Sequence, residues 1–384
     1  MSIRILLLSA YHAASHDYWL QGLLRELPDY QWTVLTLPPR HFNWRIRGNP
    51  LSWLATERDT LERDYDLVIT TSTVDVATLK GLVPSLARCP TAVYFHENQF
   101  AYPESGREYG SVEPKILNIY TALAADRVLF NTEYNRNTFL NGSRKLLKKL
   151  PDQVPTGLID QLAARCEVVH VPLPDSLFEE SLTASEPAIV WNSEQPFNNR
   201  PLRLIWAARW EFDKGPDRLL AILRVLELRG IDFRLCVLGE RFRHSPKDFD
   251  QIEMEFTHRL DQFGFAESRE EYLNWLDAAD VMLSTATHEF QGVSVLEAVA
   301  MGCIPVLPGR EVYPELFAAS YIYDDCGKDI GREAEIAADC ILWHKARLSE
   351  GKEEVPDVHS LSWSQLRPAY AQAMEDTLKA AKGR

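Results

Sequence analysis

Two doubly wound α/β domains in tandem, with the carboxyl ends of their strands facing a cleft between them, are the architecture this sequence predicts. Three observations predict it. A chain of 384 residues, 46% of them hydrophobic, is long enough for two cores. Short, nearly continuous apolar runs alternate with helical stretches in both halves, as in parallel sheets covered on both faces. Between the halves, residues 181–200 change character, with Pro187, Asn192, Pro196, Asn198 and Asn199, and read as a linker.

In order, the first domain, 1–180, opens on Ile3–Ala10. This run lacks the basic start of a signal peptide and runs into Tyr11 and His12, so it reads as a buried strand. Further strands are expected at Trp32–Leu37, Leu67–Thr71, Thr91–His96, Arg127–Asn131 and Glu167–Val171. The second domain, 201–362, repeats the pattern at Leu202–Ala208, Phe233–Gly239, Asp280–Thr285, Ile304–Leu307 and Tyr321–Tyr323. Its helices include Asp217–Leu228 and Arg269–Ala279. The tail from Trp363 to Ala381 reads as a helix broken near Pro368.

Composition narrows the partners. No apolar run reaches the ~18 residues of a membrane span, so no membrane partner is expected. Six cysteines are scattered without a Cys-x-x-Cys pair, as for reduced thiols in a cytoplasmic protein with no metal site. The net charge of −14 is not that of a nucleic-acid binder, but residues 1–180 hold 18 Lys and Arg against 21 Asp and Glu, only −3 of it. An RNA partner is therefore expected on the first half.

The chemistry concentrates in His288-Glu-Phe-Gln-Gly-Val-Ser-Val-Leu-Glu297, placed after a strand and running into a helix. Glu289 sits in the loop, where its carboxylate can accept hydrogen bonds from sugar hydroxyls. Phe290, Gly292 and Val293 lead into the helix, whose free N–H groups suit a phosphate. Glu297 can take the two hydroxyls of a ribose. Upstream, Arg209 ends a strand and Lys214 precedes Gly215 and another helix. Such cations can straddle a diphosphate and neutralise it as a leaving group. Gly239 and Glu240, at another strand end, would let backbone approach the nucleotide. The layout fits a nucleotide sugar. Read singly, the glutamates suit a helix N-terminus and the cations a solvated loop. No Asp-x-Asp run is present, so no essential metal or other cofactor is expected.

These motifs resemble the retaining two-domain GT-B glycosyltransferases. A closer likeness runs from residue 3 to about residue 325: His96-Glu-Asn-Gln99 with Tyr102-Pro103, Phe130-Asn131, Ser284-Thr-Ala286, His288-Glu-Phe290 and Val312-Tyr-Pro-Glu315 resemble the tRNA-queuosine mannosyltransferase family. The resemblance implies a GT-B fold of two Rossmann-like domains and a C-terminal helix that crosses back to the first domain. It further implies transfer of mannose from GDP-mannose to the cyclopentene diol of queuosine, at the wobble position of tRNA-Asp. Where the family carries Gly-Gly-Ser-His in its first loop, this chain has Ala13-Ala-Ser-His16.

On that reading His96 contacts the donor sugar or the leaving phosphate, beside Arg209, Lys214 and Glu289. Tyr11, His12, Ser15, His16, Glu97, Asn98, Gln99 and Asn131 are expected to meet the acceptor; Ser15 or Asp17 would equally cap the first helix. Arg40, Trp44, Arg45 and Arg47 form a basic, aromatic loop suited to unstacked bases and phosphates. Two other readings stay open: a GT-B enzyme acting on a small molecule, lipid or glycan, and a non-catalytic nucleotide-sugar or RNA-binding protein.

Overall fold

The computed structural model describes residues 2–102, 112–150, 152–155, 157–179, 191, 197–242 and 245–382. They fall into two units, Met1–Pro172 with Trp363–Arg384, and Leu173–Ser362. Of the expected linker, 181–190 and 192–196 lie outside the described residues, as does Pro103. Trp191 is described and buried, donating its indole N–H to Asp261 at 2.6 Å.

The first unit is a six-stranded parallel sheet of β1 Arg4–Ser9, β2 Gln31–Thr36, β3 Leu67–Thr71, β4 Thr91–Phe95, β5 Arg127–Phe130 and β6 Cys166–Val168, in the order β2-β1-β3-β4-β5-β6. Apart from Arg4, every residue of β1, β3 and β4 is buried, because helices cover both faces. The winding reverses between β1 and β3, so the loops after these strands diverge and leave a crevice. His96 and Asn131 are each the first residue past a strand.

The second unit holds β7 Leu202–Ala207, β8 Phe233–Leu238, β9 Leu260–Gly264, β10 Val281–Leu283, β11 Ile304–Pro308 and β12 Ile322–Tyr323, ordered β12-β11-β10-β7-β8-β9 and again all parallel. Its reversal lies between β7 and β10. Those are the strands after which Lys214 and Glu289 follow. The sequence reading missed β9, a half-buried edge strand of Leu-Asp-Gln-Phe-Gly whose polar content masks it.

Three local expectations are corrected. The basic, aromatic stretch is not a loop: Phe42–Thr56 is a helix, despite Gly48, Asn49 and Pro50 inside it. Pro50 cannot donate to the carbonyl of Ile46, and the Asn49 side-chain amide does so instead at 3.2 Å, also reaching Thr73 O. Burial of Ile46 and Trp53 outweighs the poor helix propensity. The tail is likewise one helix, Trp363–Lys382, passing through Pro368 unbroken. Trp363, Tyr370, Ala373, Met374 and Thr377 are all buried, which commits one face of it to packing. Finally, neither Ser15 nor Asp17 caps the first helix, Ala14–Glu26; its N-cap is Ala13, with no side-chain cap.

Candidate active-site residues

In the second unit, the loop after β7 and the loop after β10 are tied together around one cation. Lys214 is buried, and its Nζ donates to Glu289 Oε2 and to the carbonyl of His288, each at 3.0 Å. Asp213, also buried, lies on its other side at 3.3 Å. The loop is clamped by backbone: Thr287 and His288 donate to Asp213 O, and Thr285 Oγ1 donates to Lys214 O at 2.8 Å. Gly215 has φ 65°, and a Cβ there would stand 2.1 Å from Thr285 O, so only glycine fits.

Burial alone would raise the Glu289 pKa, yet the charge and hydrogen bond of Lys214, with His288 and the Phe290 N–H, hold it at about 2. Burial likewise opposes the Lys214 charge, and Glu289 and Asp213 overcome it, raising that pKa. The ion pair is therefore fully charged at neutral pH. A shallow, open recess lies beside it, lined among others by Ala207, Lys214, Glu289, Ser294 and Tyr313. Gly292, at φ 74°, begins the helix Val293–Ala300, and Ser294 Oγ donates to Ala207 O, tying that N-terminus to the end of β7. The recess thus joins a carboxylate, a cation and helix N–H groups.

Glu297 lies one turn further along, buried. It is gripped by both guanidinium nitrogens of Arg269, Nη1 at 3.2 Å, and by the Tyr272 hydroxyl at 3.1 Å. A carboxylate has about four acceptor sites, so these three contacts fix it and leave about one for a ligand hydroxyl. Arg209 is half-exposed and pairs with Glu211 at 3.0 Å. Phe290 packs edge-on to the buried ring of His288, whose Nδ1 lies 2.9 Å from Glu311. Glu311 has φ 57°, a strained conformation for a non-glycine residue. Gly239 serves the fold: a Cβ would meet Ala208 O at 2.0 Å and the Trp210 ring. Glu240 is exposed, and its carbonyl accepts from Trp210 N.

In the first unit, the residues after β1, β3 and β4 meet. The His16 and His96 rings stack at 4.4 Å, with Trp19 edge-on to His96 at 4.8 Å. Burial, then His16 and His12, hold the His96 pKa well below the usual histidine value, so the ring is neutral. Glu97 lies 3.1 Å from His16 Nε2. His12 bridges Ser9 and Asp17, Tyr11 packs edge-on to Phe42 at 5.5 Å, and Ser15 is exposed. Gln99 is half-buried, its N–H donating to Asn118.

The other sequence candidates sit differently. Asn98 is wholly buried: its NH₂ reaches Asn135 and Thr138, and its Oδ1 accepts from Phe100 N and Ala101 N. Asn131 donates to His96 O and accepts from Asn135. Both therefore hold the loop rather than meet an acceptor. Arg47 pairs with Asp75 at 2.5 Å and Glu113 at 2.8 Å, so its charge is answered within the protein. Trp44 is 52% exposed but lies across Gly48, whose Cβ would stand 2.4 Å from the ring. Arg45 is half-buried on the same helix, and Arg40 is exposed before it. Asp213, Arg269, Tyr272, Glu311 and Ser72 were not anticipated. Only Asp213, beside Lys214, carried a sequence signal.

Comparison with known proteins settles the family. Residues 4–173 match the family described as tRNA-queuosine alpha-mannosyltransferase N-terminal, and residues 190–322 match glycosyl transferases group 1. A Drosophila melanogaster protein named tRNA-queuosine alpha-mannosyltransferase is 33% identical over 322 residues, 83% of each chain. The chain belongs to the tRNA-queuosine alpha-mannosyltransferase family. It is thus a glycosyltransferase, and solved structures agree on the fold. HepE from Anabaena, in complex with UDP and glucose, is 14% identical with TM-score 0.60, covering 99% of this chain and 98% of that one. Sucrose-phosphate synthase from Thermosynechococcus elongatus is 13% identical with TM-score 0.66, covering 98% and 100%. Both are similar in the GT-B arrangement of two α/β domains. No helix among the described residues is long and apolar enough to cross a membrane.

Proposed function

We propose that this protein transfers mannose from GDP-mannose to the cyclopentene diol of queuosine in the anticodon of tRNA-Asp, with retention at the anomeric carbon, in the cytoplasm. The observation that carries this reading is the 33% identity to the Drosophila enzyme over 83% of both chains, which spans both units. The second unit supports it with the right chemistry for a nucleotide sugar. Lys214 and Arg209 neutralise the departing diphosphate together with the helix N–H groups after Gly215 and Gly292. Glu289 orients the sugar hydroxyls, and Glu297 takes the ribose. The departing phosphate oxygen accepts the proton of the attacking hydroxyl, on the face of the sugar that it leaves. His96, neutral and buried in the first unit, keeps a ring nitrogen without a hydrogen-bond partner that suits a polar group of a substrate.

The test is direct. The protein is incubated with queuosine-containing tRNA and, separately, GDP-mannose, GDP-glucose, UDP-glucose and UDP-galactose. The tRNA is then digested and its nucleosides are weighed. Hexosylated queuosine from GDP-mannose alone is the expected result. Inert queuosine-tRNA with every donor removes the acceptor from the proposal and leaves a glycosyltransferase with another acceptor.

A further inference from the structure

The loop after β11 carries a strained residue up to the cation site of the second unit. β11 ends at Pro308, and the chain passes through Gly309, Arg310 and Glu311 to a short helix, Tyr313–Leu316. Both ends of this loop are anchored. At its start Gly309 N donates to Tyr323 O at 2.7 Å, and the Arg310 guanidinium pairs with Asp325 at 2.8 Å and with the fully buried Glu333. At its end Tyr313 is buried, with its hydroxyl 2.7 Å from Ser284 Oγ and its ring 3.2 Å from where a Cβ on Gly292 would stand. Between the anchors Glu311 holds φ 57°. A residue with a Cβ adopts that left-handed conformation at a cost that glycine escapes. The path of the loop therefore gives no reason for a side chain here. The carboxylate gives one: its Oε2 lies 2.9 Å from Nδ1 of His288, whose ring is buried.

His288 is the residue on which the cation site is registered. Its carbonyl accepts from Lys214 Nζ at 3.0 Å, and its N–H donates to Asp213 O at 3.1 Å. The next residue, Glu289, accepts from Lys214 on Oε2 and from Phe290 N on Oε1, each at 3.0 Å. We infer that Glu311 is a positioning residue for sugar transfer: by holding the His288 ring it fixes the backbone that sets Lys214 and Glu289 against each other. The inference rests on the roles proposed above for those two residues. An ionised carboxylate only accepts, so the contact places the ring proton on Nδ1 and fixes the orientation of the imidazole. Without it the ring loses a hydrogen bond that orients it, and the peptide that carries the Lys214 contact shifts with the ring. Displacing a catalytic group by about 1 Å costs ~100-fold in rate, so turnover feels the loss before binding does. The strain at 311 is the local cost of a geometry that the reaction uses.

The experiment measures turnover of queuosine-tRNA with GDP-mannose in wild type, Glu311→Ala, Glu311→Gly and Glu311→Gln. Lys214→Ala and Glu289→Gln serve as controls, and the melting temperature of each protein is recorded. Glu311→Ala and Glu311→Gly both lack the carboxylate. They are expected to lower kcat equally, by about 10- to 100-fold, with both KM values within a few-fold of wild type. Glu311→Gly is expected to melt above Glu311→Ala, because glycine accepts the left-handed conformation. A role in supporting the fold alone would instead make turnover follow melting temperature. Glu311→Gln, whose amide oxygen accepts from Nδ1–H, is expected to keep kcat within a few-fold of wild type. Three results overturn the inference alone: wild-type turnover in both Glu311→Ala and Glu311→Gly, turnover that recovers with stability in Glu311→Gly, or a Glu311→Gln variant as slow as Glu311→Ala. Wild-type rates in Lys214→Ala and Glu289→Gln overturn the site roles, and a wild type inert on queuosine-tRNA overturns the proposed function. Either takes this inference with it.

Discussion

Replacing Lys214 by Met strands the buried carboxylate of Asp213 and the part-buried carboxylate of Glu289 beside an apolar side chain. At 3.0 Å from Glu289 and 3.3 Å from Asp213, each attraction is worth about 5 kcal/mol at an effective dielectric of ~20. Desolvation of the three charges offsets most of this. The Glu289 pKa, held at about 2 against an ordinary 4.5, leaves a net contribution of roughly 3 kcal/mol at neutral pH. The sign follows from a depressed carboxylate: the stabilisation is present above pH 4.5 and is lost as pH falls toward 2. Lys214→Met should therefore lower stability by about 3–5 kcal/mol at pH 7, a drop of roughly 6–20 °C in melting temperature for a unit of this size. Adding Glu289→Gln should recover about 3 kcal/mol of that loss, because the stranded charge is gone. The assay is thermal unfolding of wild type, both single variants and the double variant at pH 7 and at pH 4. The deficit of Lys214→Met should shrink at pH 4. Strictly additive single effects, or a deficit unchanged between the two pH values, would refute the coupled pair.

Lys214→Ala and Arg209→Ala should each lower turnover by ~100-fold or more with the nucleotide-sugar KM less affected, as for other preorganised charge stabilisers; rates within a few-fold of wild type in both would remove them from the leaving-group role. Glu297→Gln keeps the shape of the side chain but weakens both the ribose contact and the grip of Arg269, so nucleotide affinity measured by calorimetry should fall about 10-fold or more. Gly215→Ala places a Cβ against Thr285 O in a left-handed conformation, and should lower stability by about 1–3 kcal/mol while also displacing Lys214, measured by melting and by turnover. Arg47→Glu should lower the melting temperature, because Asp75 and Glu113 lose their partner; a loss of tRNA binding at unchanged stability would instead restore Arg47 to the acceptor surface.

The paired α/β plan was legible because parallel strands buried on both faces write themselves as apolar runs such as Ile5 to Leu8. Lys214, Glu289 and Glu297 were legible because each stands at the end of such a run or the start of the next helix. What the linear pattern hides is which polar side chains find partners far along the chain. Arg269 reaches Glu297 from 28 residues away and Arg47 reaches Asp75 from the same separation. No spacing rule signals either. The helix over Phe42–Thr56 escaped for a related reason: its interior Gly48-Asn-Pro50 is poor helix sequence, and the Asn49 amide rescues it through tertiary bonds. Glu311 shows the same limit, since its left-handed backbone conformation is invisible in the residue type.

The helix Trp363–Lys382 belongs with the first unit although the whole second unit separates the two in sequence. Its Trp363 ring lies where a Cβ on Gly22 would be, and its Tyr370 hydroxyl meets the Trp19 indole at 2.9 Å and His170 O at 3.0 Å. Trp19 in turn rests against His96. During synthesis the rest of the first unit therefore emerges with part of its surface uncovered, and it stays so until residues 363–382 leave the ribosome. That stretch supplies the Tyr370 hydroxyl to which the Trp19 indole donates. A chain stopped just before Trp363 would carry every residue proposed to bind the nucleotide sugar and still lack a finished first unit. In this fold the first unit waits, to be finished, on residues that follow the second.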